Sequence, residues 1–188
     1  MHLSRNVLKE LILNKQLITD YEDVDKQLTA NGFDVRLGAI VEVIDGGKLS
    51  ISKSDIRPPK LGRAVVLPGF EKRLEGYDVQ ELIIRTGVVK LNPLKPYLVI
   101  PCESLNTPDN LMFHIQPRSS LFRITQSMLG HAFGEAGFKG FLTFMLFPVL
   151  DSEIELGARI AQLSFSELKG EASYADQKET NYQGGKLF

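Results

Sequence analysis

The chain has 188 residues, 43% of them hydrophobic, which suits one domain with a real core and makes a second domain unexpected. Its formal charge of −1 supplies no overall field to hold nucleic acid, so an anionic ligand must be met by a local cluster of cations. A single cysteine, Cys102, excludes an internal disulfide; with no signal pattern and no apolar run long enough to span a bilayer, the expectation is a soluble cytoplasmic protein without a membrane partner.

Near the start, Ser4 precedes Val7, Leu8, Leu11 and Ile12, whose spacing predicts an apolar stripe on a short helix with Ser4 as N-cap. From 31 to 38, Phe33, Val35 and Leu37 alternate with Asp34 and Arg36, the pattern of a half-buried strand. Asp34 and Arg36 then share one face. They read either as a pair near a site or, slightly preferred, as an exposed surface pair worth under about 1 kcal/mol.

Residues 41–44 and 49–51 flank Asp45-Gly46-Gly47, which predicts a hairpin because glycine allows the positive φ of a tight turn. Pro58 and Pro59 mark an irregular connection. Runs at 82–86, 97–100 and 111–115 read as further strands, punctuated by Asn92-Pro93 and Lys95-Pro96. Short, closely spaced strands with few helical segments argue for a mainly β fold, a distorted barrel or jelly-roll-like architecture.

The stretch 116–146 carries the densest chemistry. Arg118, Ser119, Ser120 and Arg123 fall within six residues at the start of a short helical pattern, and a glycine-flanked carboxylate, Glu135, follows. Two guanidinium groups and two hydroxyls beside free backbone N–H groups suit a polyanion. The competing reading is a surface helix capped by Ser119 or Ser120, with both arginines solvated. Residues 141–149 form a nearly continuous apolar run, as expected of a strand covered on both faces, and 160–165 follow a turn at Gly157.

From 169 onward the composition turns polar, predicting a mobile C-terminal tail over 169–188. Tyr174, Lys178 and Gln183 lie on it; the tail is either a cover for a bound nucleotide or a plain disordered end. Zinc-dependent deamination is excluded, because it needs a His or Cys together with a Cys-x-x-Cys pair. The chain offers one cysteine and three histidines, His2, His114 and His131, without ligand spacing, so no protein-held metal is expected. Cys102 is expected to be a buried small hydrophobe.

PRSSLFR, GEAGFKG and ARIAQLSF resemble the motifs of the dCTP deaminase and dUTPase superfamily, most of all its dCTP deaminase branch. LILNKQLI, NGFDVRLG, LNTPDNL and the pair Tyr174 and Lys178 before NYQGG extend the likeness over most of the chain in the family's order. The resemblance implies a dUTPase-type distorted β-barrel that assembles as a homotrimer with sites between subunits. It also implies a deoxynucleoside triphosphate substrate, dCTP or dUTP. Arg118, Ser119, Ser120, Gln162, Tyr174, Lys178 and Gln183 would bind it.

In the family's deaminases the residue matching Ser119 assists the attacking water, the one matching Arg123 stabilises charge at the ring, and a strand glutamate shuttles the proton. Here that glutamate position is Met145, and His131 stands where the family has a small residue. In the family's diphosphatases an aspartate in the glycine-rich turn directs water at the α-phosphate, with Mg²⁺ bound through the substrate phosphates. Glu135 takes that position. The resemblance thus implies an enzyme of the dCTP to dUTP to dUMP route, with a catalytically silent nucleotide-binding trimer as the alternative.

Overall fold

A single long strand, β2 (Phe33–Asp45), organises the molecule in the computed structural model, which describes residues 1–177 and 182–188. Before it come α1 (Arg5–Lys15), β1 (Ile18–Thr19) and α2 (Val24–Gln27). Leu8 and Ile12, four apart, give α1 its buried stripe, and Gln16 ends the helix in a left-handed conformation. Ser4 occupies the N-cap position, but its hydroxyl makes no capping bond.

After β2 the chain forms β3 (Lys60–Val66), β4 (Val79–Ile84), β5 (Val88–Leu91), β6 (Tyr97–Pro101), β7 (Ser104–Asn106) and β8 (Leu111–Pro117). The seven-residue helix α3 (Ser119–Thr125) leads into β9 (Ser127–Gly130), β10 (Lys139–Phe141), β11 (Phe144–Pro148), β12 (Ser152–Glu155) and β13 (Arg159–Glu167). The main sheet runs β4-β3-β2-β6-β11-β9, and β13 joins β2 to β8. Three short strands, β1-β7-β10, form a second sheet, and β12 pairs with β5. The fold is mainly β and its ladders curl around one large core without closing, which makes it a distorted rather than a regular barrel.

Three strand expectations change. No hairpin forms across 41–51: β2 continues to Asp45, and its antiparallel partner is β3, reached through a loop where Lys48 and Arg57 exchange backbone hydrogen bonds. Leu49 and Ile51 stay exposed there. The alternating segment around Asp34 and Arg36 is buried on both faces, because Phe33, Val35 and Leu37 pack into the large core while Gln27, Glu103, Arg118, Arg159 and Gln162 cover the polar face. The run 141–149 is not one strand covered twice. The chain leaves β10, paired with β7, and starts again as β11, paired with β6 and β9. Along β11 Phe144, Leu146 and Pro148 are buried while Met145 is exposed.

Arg36 and Asp34 are therefore no surface pair; they are 9% and 1% exposed. Arg36 donates from Nε to Oε1 of Glu103 at 2.7 Å and from its backbone N–H to Oε2 at 2.7 Å. Gln27 Nε2 reaches the same Oε1 at 2.7 Å and the Asp34 carbonyl at 2.9 Å. Buried charge tolerates this only when paired and hydrogen-bonded, and each member here is both. Burial raises the Glu103 pKa, opposed by its bonds from Arg36.

Candidate active site

Glycine geometry builds one wall of the candidate pocket. Gly134 lies against Phe113, its carbonyl accepting from the Phe113 N–H at 3.0 Å, and a Cβ there would collide with the Phe113 ring and carbonyl. This close approach holds the turn that presents Glu135. Glu135 is half-buried and lines a cavity of about 350 Å³ together with Phe113, Phe133, Phe141, Thr143 and Met145. Tyr174, Tyr182, Lys186 and Leu187 of the C-terminal segment complete its lining.

The tail segment docks through small residues. Gly184 donates its N–H to the Lys139 carbonyl at 2.8 Å, and a Cβ on Gly140 would meet the Gly184 carbonyl carbon at 2.5 Å. Gln183 spends both ends of its amide on the turn, accepting from the Lys139 N–H and donating to the Gly137 carbonyl, each at 3.1 Å. Tyr174 is buried with its ring centroid 6.1 Å from that of Phe138, and its hydroxyl accepts from the Tyr182 N–H at 3.3 Å. Lys178 lies outside the described residues.

The arginine and serine segment stands elsewhere. Arg118 lies three residues past Ile115, the last β8 residue lining the cavity, so roughly 10 Å further along the chain. None of Arg118, Ser119, Ser120, Arg123 or Gln162 lines the cavity. Neither serine caps α3: Arg118 takes the N-cap position, without a side-chain capping bond. Ser119 and Arg123 are exposed and Ser120 half-buried. The expected phosphate-binding groups and the expected carboxylate are thus not joined within one chain.

Arg118 is not solvated as a plain surface residue would be. Its Nε pairs at 3.0 Å with Asp34 Oδ2, the oxygen that Arg159 Nη1 also approaches at 3.3 Å. Gln162 Nε2 approaches Asp34 Oδ1 at 3.3 Å and Thr29 Oγ1 at 2.9 Å. Burial raises the Asp34 pKa, against the pull of Arg118, Arg159 and Gln162. Sequence reasoning singled out Gln162 but passed over Arg159 in the same motif. The register Gln162 opposite Asp34 across β13 and β2, which brings them together, is a non-local fact.

Met145 is 46% exposed and stands on β11 directly opposite Gly130 of β9, with Phe147 opposite Met128, itself 58% exposed. These residues leave an apolar face open on the single chain. His131 is exposed, its ring contacting only the neighbouring Ala132 carbonyl at 3.4 Å among the described residues. Cys102 is buried, and burial pushes its thiol up to about 12, so it has the character of a small apolar side chain.

A family model described as dCTP deaminase-like matches residues 2–168. Over 186 residues the chain is 27% identical to a dCTP deaminase of Haloarcula marismortui, covering 95% of this chain and 87% of that one. It is 30% identical to a probable deoxyuridine 5'-triphosphate nucleotidohydrolase of Methanosarcina acetivorans, covering 90% of each. Its fold is similar to that of a 2'-deoxycytidine 5'-triphosphate deaminase from Agrobacterium tumefaciens, with a TM-score of 0.57 at 18% identity. That match takes in 87% of this chain and 46% of the other, and at such identity it speaks for the fold alone.

Proposed function

The chain belongs to the dCTP deaminase-like family, and from that premise we propose that it hydrolyses dUTP to dUMP and pyrophosphate. The observation that carries this reading is the cavity wall itself, in which the carboxylate is Glu135 of the glycine turn while the adjoining strand position 145 is a methionine. A thioether cannot carry the proton that ring deamination must move from water to the leaving ammonia. Glu135 can take the proton of a water attacking the α-phosphorus, as the bond to the bridging oxygen breaks and pyrophosphate leaves. Similarity to the Methanosarcina acetivorans protein supports the same choice of reaction.

The aromatic cavity suits the base and sugar, and Arg118, Ser119, Ser120 and Arg123 suit the phosphates. Because the two sets stand apart on one chain, we assign the complete site to the junction of two copies in a homotrimer, with Arg118 to Arg123 of one facing Glu135 of the next. The open apolar face of Met128, Met145 and Phe147 supports such assembly, since exposed apolar patches mark contact surfaces. Among the described residues no group of three or more His, Cys, Asp or Glu side chains is placed to hold an ion. Mg²⁺ belongs to this proposal as the metal complex of the nucleotide's phosphates.

Incubation of the purified protein with Mg²⁺ and dUTP, dCTP or dTTP, with products resolved by chromatography, tests this. Pyrophosphate and dUMP from dUTP are expected, with Glu135→Gln losing at least about a hundredfold in rate while the fold is kept. Ammonia released from dCTP would overturn the choice of reaction. Binding without turnover would leave a nucleotide-binding trimer in its place.

A further inference from the structure

Between β3 and β4 the chain carries a buried cation that the proposed chemistry does not use. Arg73 lies on the short 3₁₀ turn Glu71–Leu74, and its side chain is only 10% exposed. A charge so enclosed needs partners on every side. Its Nη1 donates to the Pro101 carbonyl, and its Nη2 to the Cys102 carbonyl and to Ser104 Oγ, the last at 3.1 Å. Among the described residues its one carboxylate partner within 4 Å is Asp20, at 3.2 Å. These bonds tie the edge of the guanidinium to the end of β6 and the start of β7.

The same group stands over two aromatic rings. Its central carbon is 4.9 Å from the centroid of Phe70 and 5.2 Å from that of Phe141. Phe70 begins the turn that carries Arg73, whereas Phe141 ends β10 and lines the cavity beside Glu135. Phe141 faces Ser104 across β10 and β7, so Arg73 grips both members of one cross-strand pair, one by its ring and one by its hydroxyl. The Phe141 ring is also the floor under the C-terminal segment, since a Cβ on Gly185 would meet its Cδ1 at 2.6 Å. Tyr77, from the same loop as Arg73, accepts the Leu187 N–H at 2.8 Å, and its ring meets Phe188 edge-on at 5.8 Å. The loop 67–78 thus touches the cavity wall through Arg73 and the last residues of the chain through Tyr77.

We propose that Arg73 is a positioning residue for nucleotide binding, which fixes the Phe141 ring and with it both the cavity wall and the seat of residues 182–188. The inference rests on the nucleotide reading given above and adds a residue that does not itself line the cavity. Arginine suits the role because its planar, permanently charged group donates at its edge while its face lies over a ring.

Arg73→Met keeps the stem and removes both the charge and the donors. Titration calorimetry with a non-hydrolysable imido analogue of dUTP should show affinity weakened about tenfold. Turnover should show a raised KM at little-changed kcat, and Arg73→Lys should recover part of the loss because an ammonium still stands over the rings. Phe141→Leu supplies the control. If Arg73 acts through that ring, Arg73→Met changes affinity less than about twofold once the ring is gone, whereas a residue that merely supported the fold would weaken the double variant by the product of the single effects. Wild-type affinity in Arg73→Met, or that product, overturns the proposal. Should Arg73→Met fail to fold, the same cycle is run with Arg73→Lys. Hydrogen exchange without ligand gives a second readout, in which 182–188 should exchange faster in Arg73→Met while 111–117 of β8 keeps its wild-type rate. If the wild type binds no analogue, the nucleotide reading falls and exchange alone decides. Selective loss of protection then keeps Arg73 as organiser of that seat, and an unchanged or uniformly raised rate removes it.

Discussion

Replacing Glu103 by alanine tests the buried network at the entrance to β2. Its side chain has no solvent exposure, and its oxygens receive three hydrogen bonds of 2.7 Å from Arg36 Nε, the Arg36 N–H and Gln27 Nε2. In Glu103→Ala the Arg36 guanidinium keeps Glu22 at 3.0 Å and the Asp20 carbonyl at 2.7 Å, but its Nε and its backbone N–H lose their acceptors. Breaking one side of a buried pair costs about 3–5 kcal/mol. The partners left to the guanidinium argue for the lower part of that range, and the orphaned backbone N–H adds on the order of 1 kcal/mol. The expected loss is about 4 kcal/mol, read from urea denaturation by circular dichroism, since the chain has no tryptophan. Glu103→Gln keeps an acceptor and should lose less. The apolar double variant Arg36→Met, Glu103→Leu should recover much of the loss, because no buried charge is then left unpaired. A Glu103→Ala loss under about 1 kcal/mol would falsify this account and return the pair to the energetics of a surface contact.

Other consequences follow from single positions. Gly134→Ala forces a methyl group into Phe113, so a loss of about 3 kcal/mol is expected together with lost turnover through the displaced Glu135; a stable, active variant would show that the approach is not obligatory. Thr107 has no exposure, and its hydroxyl has no partner among the described residues, so Thr107→Val should stabilise by about 1 kcal/mol; a fall in stability would reveal an acceptor or water at that hydroxyl. Burial raises the folded Cys102 thiol from 9.0 to about 12, so between these values the unfolded chain loses a proton that the folded chain retains. The thiol's contribution is complete below pH 9.0 and declines as pH rises toward about 12. The stability gap between wild type and Cys102→Ala should therefore narrow as pH rises from 9.0 toward about 12, and parallel curves would rule the shift out.

The chain's own pattern was enough for the class of fold, the N-terminal helix, most strands and the family. Those rest on local signals: the period of Leu8 and Ile12, the short apolar run along 111–115, and the run of Arg118, Ser119, Ser120 and Arg123. The 41–51 hairpin misled because a glycine turn states that the backbone can reverse, whereas β2 found its partner in β3 beyond a longer loop. Apolar content along 141–149 likewise gave no sign that the chain changes sheets between β10 and β11.

What tertiary structure alone decided is the company each polar residue keeps. Asp34 and Arg36 alternate with apolar neighbours, as exposed residues do, and a pattern of period two cannot distinguish a solvated face from one covered by other buried charges. The sequence determines that alternation. Only the pairing of β2 with β13 and the approach of Glu103 place the two residues in a dry, fully bonded network, because burial is set by contacts between segments up to 128 residues apart.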